Sequence, residues 1–242
     1  MAITIVGVGT VDSATPWAPT VAGPVEANDI ILVEVEQASL TTPEASPAAT
    51  GYAHVLGSPV GPDSAGTVLS VLWKRAVGGE TSVTITGPSN HAVTRTITVR
   101  GVKTTGNPWN VNPAVATDAT VSATATWPAV TPTVVDCLIC LCIATGRDAN
   151  NTANLGAVTN PNLTSLTERM DNWAATGTGG GIGLVTGFRA PATSTGTSSA
   201  TMGSTDGKAL MTLALEPAAV AAATPPSTYL VRSQAVNRSY HY

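Results

Sequence analysis

Val134-Val135-Asp136-Cys137-Leu138-Ile139-Cys140-Leu141-Cys142-Ile143 is the stretch that decides the fold class. Beyond Asp136 the run is apolar without a break, so it reads as a strand covered on both faces or placed centrally in a sandwich. A second run, Asn28-Asp29-Ile30-Ile31-Leu32-Val33, likewise enters an apolar strand from an Asp. Outward from these two, residues 30–36, 67–74, 81–86, 93–100, 134–143, 181–188 and 209–215 each read as strands. In residues 93–99 the apolar Val93, Ile97 and Val99 alternate with Thr94, Thr96 and Thr98, which predicts one buried and one wet face; Arg95 interrupts that pattern. The crossing from 101 to 132, rich in Thr, Ala and Pro, has room for one or two more strands.

Composition agrees. Val, Ile, Leu, Ala and Thr are broken by 23 Gly and 17 Pro, which is strand composition with frequent turns. The 242 residues are 43% hydrophobic with a formal net charge of −4, so the chain should fold. A charged content of 11% disfavours coiled coils and nucleic-acid binders, and the net negative charge offers nothing to a polyanion. No apolar run reaches the ~18 residues of a membrane span, and residues 1–10 lack the basic start of a signal peptide, so neither a membrane nor export is expected.

Three ordered matches suggest a duplication. Residues 28–33 resemble 135–140, Val71-Leu72-Trp73-Lys74-Arg75-Ala76 resembles Val185-Thr186-Gly187-Phe188-Arg189-Ala190, and 96–101 resembles 211–216, with separations that grow along the chain. The expected architecture is an all-β antiparallel sandwich of jelly-roll kind. Its two pseudo-repeated, four-stranded halves, residues 20–101 and 128–217, would interleave in one domain spanning 1–217. From 218 an Ala/Pro linker leads to residues 227–242, which hold three of the four Tyr, two Arg and no acid. Tyr229, Arg232, Arg238, Tyr240 and Tyr242 are therefore candidates for an extended C-terminal arm that contacts a neighbouring subunit.

Chemistry-bearing groups are few. Cys137, Cys140 and Cys142 share one strand, with Cys140 and Cys142 on one face and Cys137 on the other; a zinc site needs about four convergent ligands, so buried free thiols are expected and no metal. Thr176 to Gly183, TGTGGGIG, lacks the Gly-Lys-Ser/Thr of a phosphate loop and precedes a strand, so no cofactor is assigned. Glu34 and Glu36 fall on one strand face as a glycosidase pair would, but two acids on a solvated strand face are far commoner than a catalytic pair, and His54, His91 and His241 sit in no catalytic motif. No catalytic residue is assigned. Trp17, Trp109 and Trp127 each adjoin a Pro. If exposed, Trp109 and Trp127 could stack on sugar rings, which keeps a carbohydrate-binding module for host-surface glycans open as the alternative; the other reading has them plugging the ends of the sandwich.

The order Gly23-Pro24, then residues 28–33, a Gly-rich loop, residues 71–76 with Gly79-Glu80, and Ile97 to Val102 ending Arg-Gly-Val resembles a type of β-sandwich protein of tailed-bacteriophage particles. The closing Leu213-Ala214-Leu215-Glu216-Pro217 is similar to the end of that type. Asn28-Asp29 stands where such proteins more often have Gly-Asp. The resemblance implies a structural protein of the virion, either capsid decoration or a tail protein, assembled in the host cytoplasm. Its partners would be the major capsid or tail protein and further copies of itself, for example as a trimer. It transfers no active-site residue.

Overall fold

A computed structural model describes residues 2–38, 46–61, 66–88, 91–146, 154–174 and 180–219. Ten strands make up its regular structure: β1 Thr4–Val8, β2 Ile30–Gln37, β3 Ala53–His54, β4 Val68–Arg75, β5 Ala92–Arg100, β6 Ala114–Trp127, β7 Cys137–Thr145, β8 Thr164–Ala174, β9 Gly180–Arg189 and β10 Ser198–Leu215. They form two five-stranded sheets, ordered β1-β5-β2-β4-β3 and β6-β10-β7-β9-β8, and every strand pair is antiparallel. The sheets pack face to face in a sandwich-like all-β arrangement. Ile30, Leu32, Leu69, Val71, Ile97 and Val99 of the first meet Leu138, Cys140, Leu184, Met211 and Leu213 of the second in one core.

Each sheet takes five consecutive strands, and none crosses to the other. This differs from the interleaved, jelly-roll-like pairing of four-stranded halves expected from the sequence. The reason is local: β2 and β7 each find both neighbours within their own half, so the ladders close before a crossing is needed. A shift of five strand numbers converts one sheet order into the other. The residue matches, however, do not keep their face. Ile30, Val71 and Val99 point into the core between the sheets, whereas their matches Cys137, Val185 and Ala214 point to the outer side of the second sheet. A slip of one residue reverses every side chain in a strand, and short apolar runs do not fix that parity.

Both outer faces are covered. Ile31, Val33 and Val35 of β2 lie beneath Trp17, Val21, Val25, Val83 and Ile85. These belong to irregular segments stitched together by backbone bonds from Val21 N to Thr81 O at 2.8 Å and from Ile85 N to Trp17 O at 2.9 Å. Residues 81–86 are thus part of this cover, with isolated bridges only, and not the strand expected. The same layer buries Thr94, Thr96 and Thr98, so the predicted wet face of β5 is dry; Thr96 Oγ1 donates to Thr20 O at 2.6 Å. On the second sheet, register shifts in the β6–β10 ribbon between Thr201 and Lys208 bend it, and Ala125, Trp127, Ala200 and Met202 from its far half pack onto Cys137, Ile139 and Leu141. Fully buried Lys208 pins the bend, its Nζ donating to Ser122 O at 2.6 Å and Asp206 O at 2.7 Å.

Candidate functional site

Alternation along β2 puts Ile30, Leu32, Glu34 and Glu36 on the inner face, so both acids enter the core between the sheets. They are 1% and 0% exposed, which corrects the solvated face allowed by the sequence. Among the described residues neither carboxyl oxygen of Glu34 has a conventional hydrogen-bond partner. Burial pushes its pKa up to about 8, against a weaker opposing effect from the adjacent Cys142 thiol. Glu36 accepts a bond from Thr67 Oγ1 at 3.2 Å and lies 3.8 Å from His91 Nε2. Arg95 stands opposite Glu34 in the β2–β5 register but turns away, its Nε donating to Gly9 O and its guanidinium NH1 to Asn172 Oδ1, both at 2.7 Å. The pair is sealed from solvent, and a glycoside cannot reach it.

Two glycines of the run once comparable to a phosphate loop are explained by this packing. A Cβ on Gly180, whose φ is +147°, would run into the Glu36 carboxylate, and one on Gly181 into the Trp173 ring. Both open β9. The three cysteines are free and buried, with Cys140 and Cys142 facing the core between the sheets and Cys137 the outer core, as alternation predicts. Burial pushes the Cys137 thiol up to about 11 and holds Cys140 and Cys142 well above the ordinary thiol range. Among the described residues no three His, Cys, Asp or Glu side chains converge as a metal site.

The glycan-stacking residues are not at the surface. Trp127 is 0% exposed and donates from Nε1 to Cys142 O at 2.8 Å. Trp109 is 8% exposed and meets Trp73 edge to face, with ring centroids 5.6 Å apart. An indole enclosed in this way offers no face to a sugar, so the carbohydrate-binding alternative loses both its residues. The arm candidates Tyr229, Arg232, Arg238, Tyr240 and Tyr242 lie outside the described residues.

A groove of about 1040 Å³ opens at one end of the sandwich. Several strand ends converge there: Ala2 and Ile3 before β1, Lys103 to Thr105 after β5, Val134 to Asp136 before β7, Thr164 at the start of β8, Phe188 and Ala190 at the end of β9, and Glu216 to Ala219 after β10. Its walls are mainly apolar, and Val135 is 56% exposed. Lys103 Nζ and Asn110 Nδ2 each reach Glu216 Oε2 at 3.2 Å, while Asp136 is exposed. Backbone bonds from Lys103 N to Glu216 O and from Ala218 N to Gly101 O, both 2.8 Å, hold the departing chain against the wall. Sequence reasoning missed the groove because no local pattern signals it; it exists only where six strand ends meet. No known protein family, curated protein or solved structure shows a significant match to this chain.

Proposed function

We propose that this chain is a non-enzymatic structural component of a tailed-bacteriophage particle, decorating the capsid or forming part of the tail through subunit contacts. The observation that carries this reading is the apolar groove at one end of the sandwich, beside the point where the described chain leaves towards a basic, Tyr-rich segment. An apolar groove with a polar rim is the kind of surface that partners cover. The resemblance in strand pattern to phage β-sandwich proteins supplies the particle, and the low charge of the chain suits a surface covered by neighbours. The enclosed Glu34–Glu36 pair supports a role without hydrolysis. We further propose that the two sheets are pseudo-repeats of one ancestral unit, a reading supported by their shared strand order and not by the residue matches.

Quantitative mass spectrometry of purified particles from the phage that encodes the chain tests the role. Hundreds of copies per particle mean capsid decoration, and a handful mean a tail component. A chain absent from washed, infectious particles refutes the proposal.

A further inference from the structure

We propose that the groove at the end of the sandwich is the seat for residues 227–242 of a second copy of this chain, so that copies assemble by exchanging arms. The inference rests on the reading of the protein as a subunit of a larger assembly, and it names the partner and the site. Four features point to this occupant.

The first is where the chain leaves. Pro217, Ala218 and Ala219 line the groove, and 23 residues of sequence follow Ala219. The seven from 220 to 226 span at most about 25 Å when extended, about the width of a five-stranded sheet at ~4.8 Å per strand. They end in Pro225-Pro226, which favours continued extension. An arm so attached is long enough to reach a neighbouring copy.

The second is chemistry. The walls offered by Ile3, Val134, Val135 and Phe188 are apolar, and the arm brings Tyr229, Leu230, Val231, Tyr240 and Tyr242. The third is charge: the groove carries Asp136 and Glu216 against Lys103, a net negative rim, and the arm carries Arg232 and Arg238 with no acid. The fourth is size. Three Tyr burying about 150–250 Å² each give roughly 450–750 Å² of side-chain area per arm. A reciprocal exchange doubles this to roughly 900–1,500 Å², which reaches the lower part of the ~1,200–2,000 Å² of stable interfaces.

The test uses the full chain with a photo-crosslinking residue, Val135→p-benzoylphenylalanine. Half of the sample is nitrogen-15 labelled, and the halves are mixed dilute before being concentrated and irradiated. The expected result is crosslinked peptides joining position 135 to residues 227–242, about half of them isotopically mixed. Crosslinks confined to a single isotope, which would mean a chain's own arm, overturn the proposal, as do crosslinks that avoid residues 227–242. In parallel, Val135→Lys in the full chain, which removes an apolar wall and sets a cation against the basic arm, should weaken self-association at least tenfold by sedimentation, with an unchanged circular dichroism spectrum; an unchanged association constant overturns the proposal too. These outcomes concern purified protein. Arm exchange in solution without incorporation into particles would sink the phage reading alone, and incorporation without exchange would sink this one alone.

Discussion

Replacing Glu34 by Gln should change how stability depends on pH. Enclosure between the sheets raises the pKa of this carboxyl from 4.5 to about 8, while in the unfolded chain it ionises near its ordinary value. Below about pH 4.5 the group is neutral in both states and carries no penalty. As pH rises, the unfolded state gains by ionising and the folded state does not, so stability falls until the folded carboxyl also ionises near 8. At about 1.4 kcal/mol per pKa unit, the loss is about 3 kcal/mol by pH 7 and approaches about 5 kcal/mol above pH 8. Gln does not titrate. Its poorly paired amide costs about 1–3 kcal/mol, but equally at every pH. The stability of Glu34→Gln relative to the parent should therefore rise by about 3 kcal/mol between pH 4.5 and 7, or roughly 6–12 °C in Tm for a chain of this length. Urea unfolding followed by Trp fluorescence at half-unit pH steps reads this difference directly. Glu36, His91, Arg95, Cys140 and Cys142 lie on the same interior face or beside it and are present in both proteins, and Cys140 and Cys142, held well above the ordinary thiol range, stay protonated across this window. A difference that stays flat from pH 4.5 to 8 would refute an ionisable group held neutral in the core.

Other substitutions probe the packing. Gly181→Ala drives a methyl into the Trp173 ring and should destabilise by about 1–3 kcal/mol, seen as a lower urea midpoint; an unchanged midpoint would mean that β8 and β9 are not in the register described. Trp127→Ala removes a fully buried indole and should cost about 3–5 kcal/mol, while glycan-array binding stays at background for both proteins; a lectin signal lost in the variant would restore the carbohydrate reading. Thiol titration with Ellman's reagent at pH 8 should find none of the three cysteines reactive in the native protein and all three after unfolding, and one fast native thiol would contradict their burial.

Patterns confined to a few neighbouring residues were legible before any coordinates. The apolar run after Asp136 is a central strand buried on both sides, and the alternation that separates Cys137 from Cys140 and Cys142 holds in three dimensions. Other readings failed where a distant segment decided the outcome. Thr94, Thr96 and Thr98 look like a solvent face until residues 17–25 and 81–85 settle over them. Residues 164–174 have no clean alternation in sequence, yet β9 supplies the pairing that makes them β8.

The sequence by itself determined that this protein is built from strands, because β-branched runs punctuated by Gly and Pro leave the backbone few alternatives, and it determined which faces of a strand belong together. Only the tertiary structure decided which of those faces meets the other sheet. Period-two alternation is blind to that choice, so Glu34 and Glu36 could be read as wet until Leu32 on the same face was seen in the core. The groove is likewise a product of convergence: six strand ends far apart in sequence enclose it because two sheets of five consecutive strands bring those ends to the same edge.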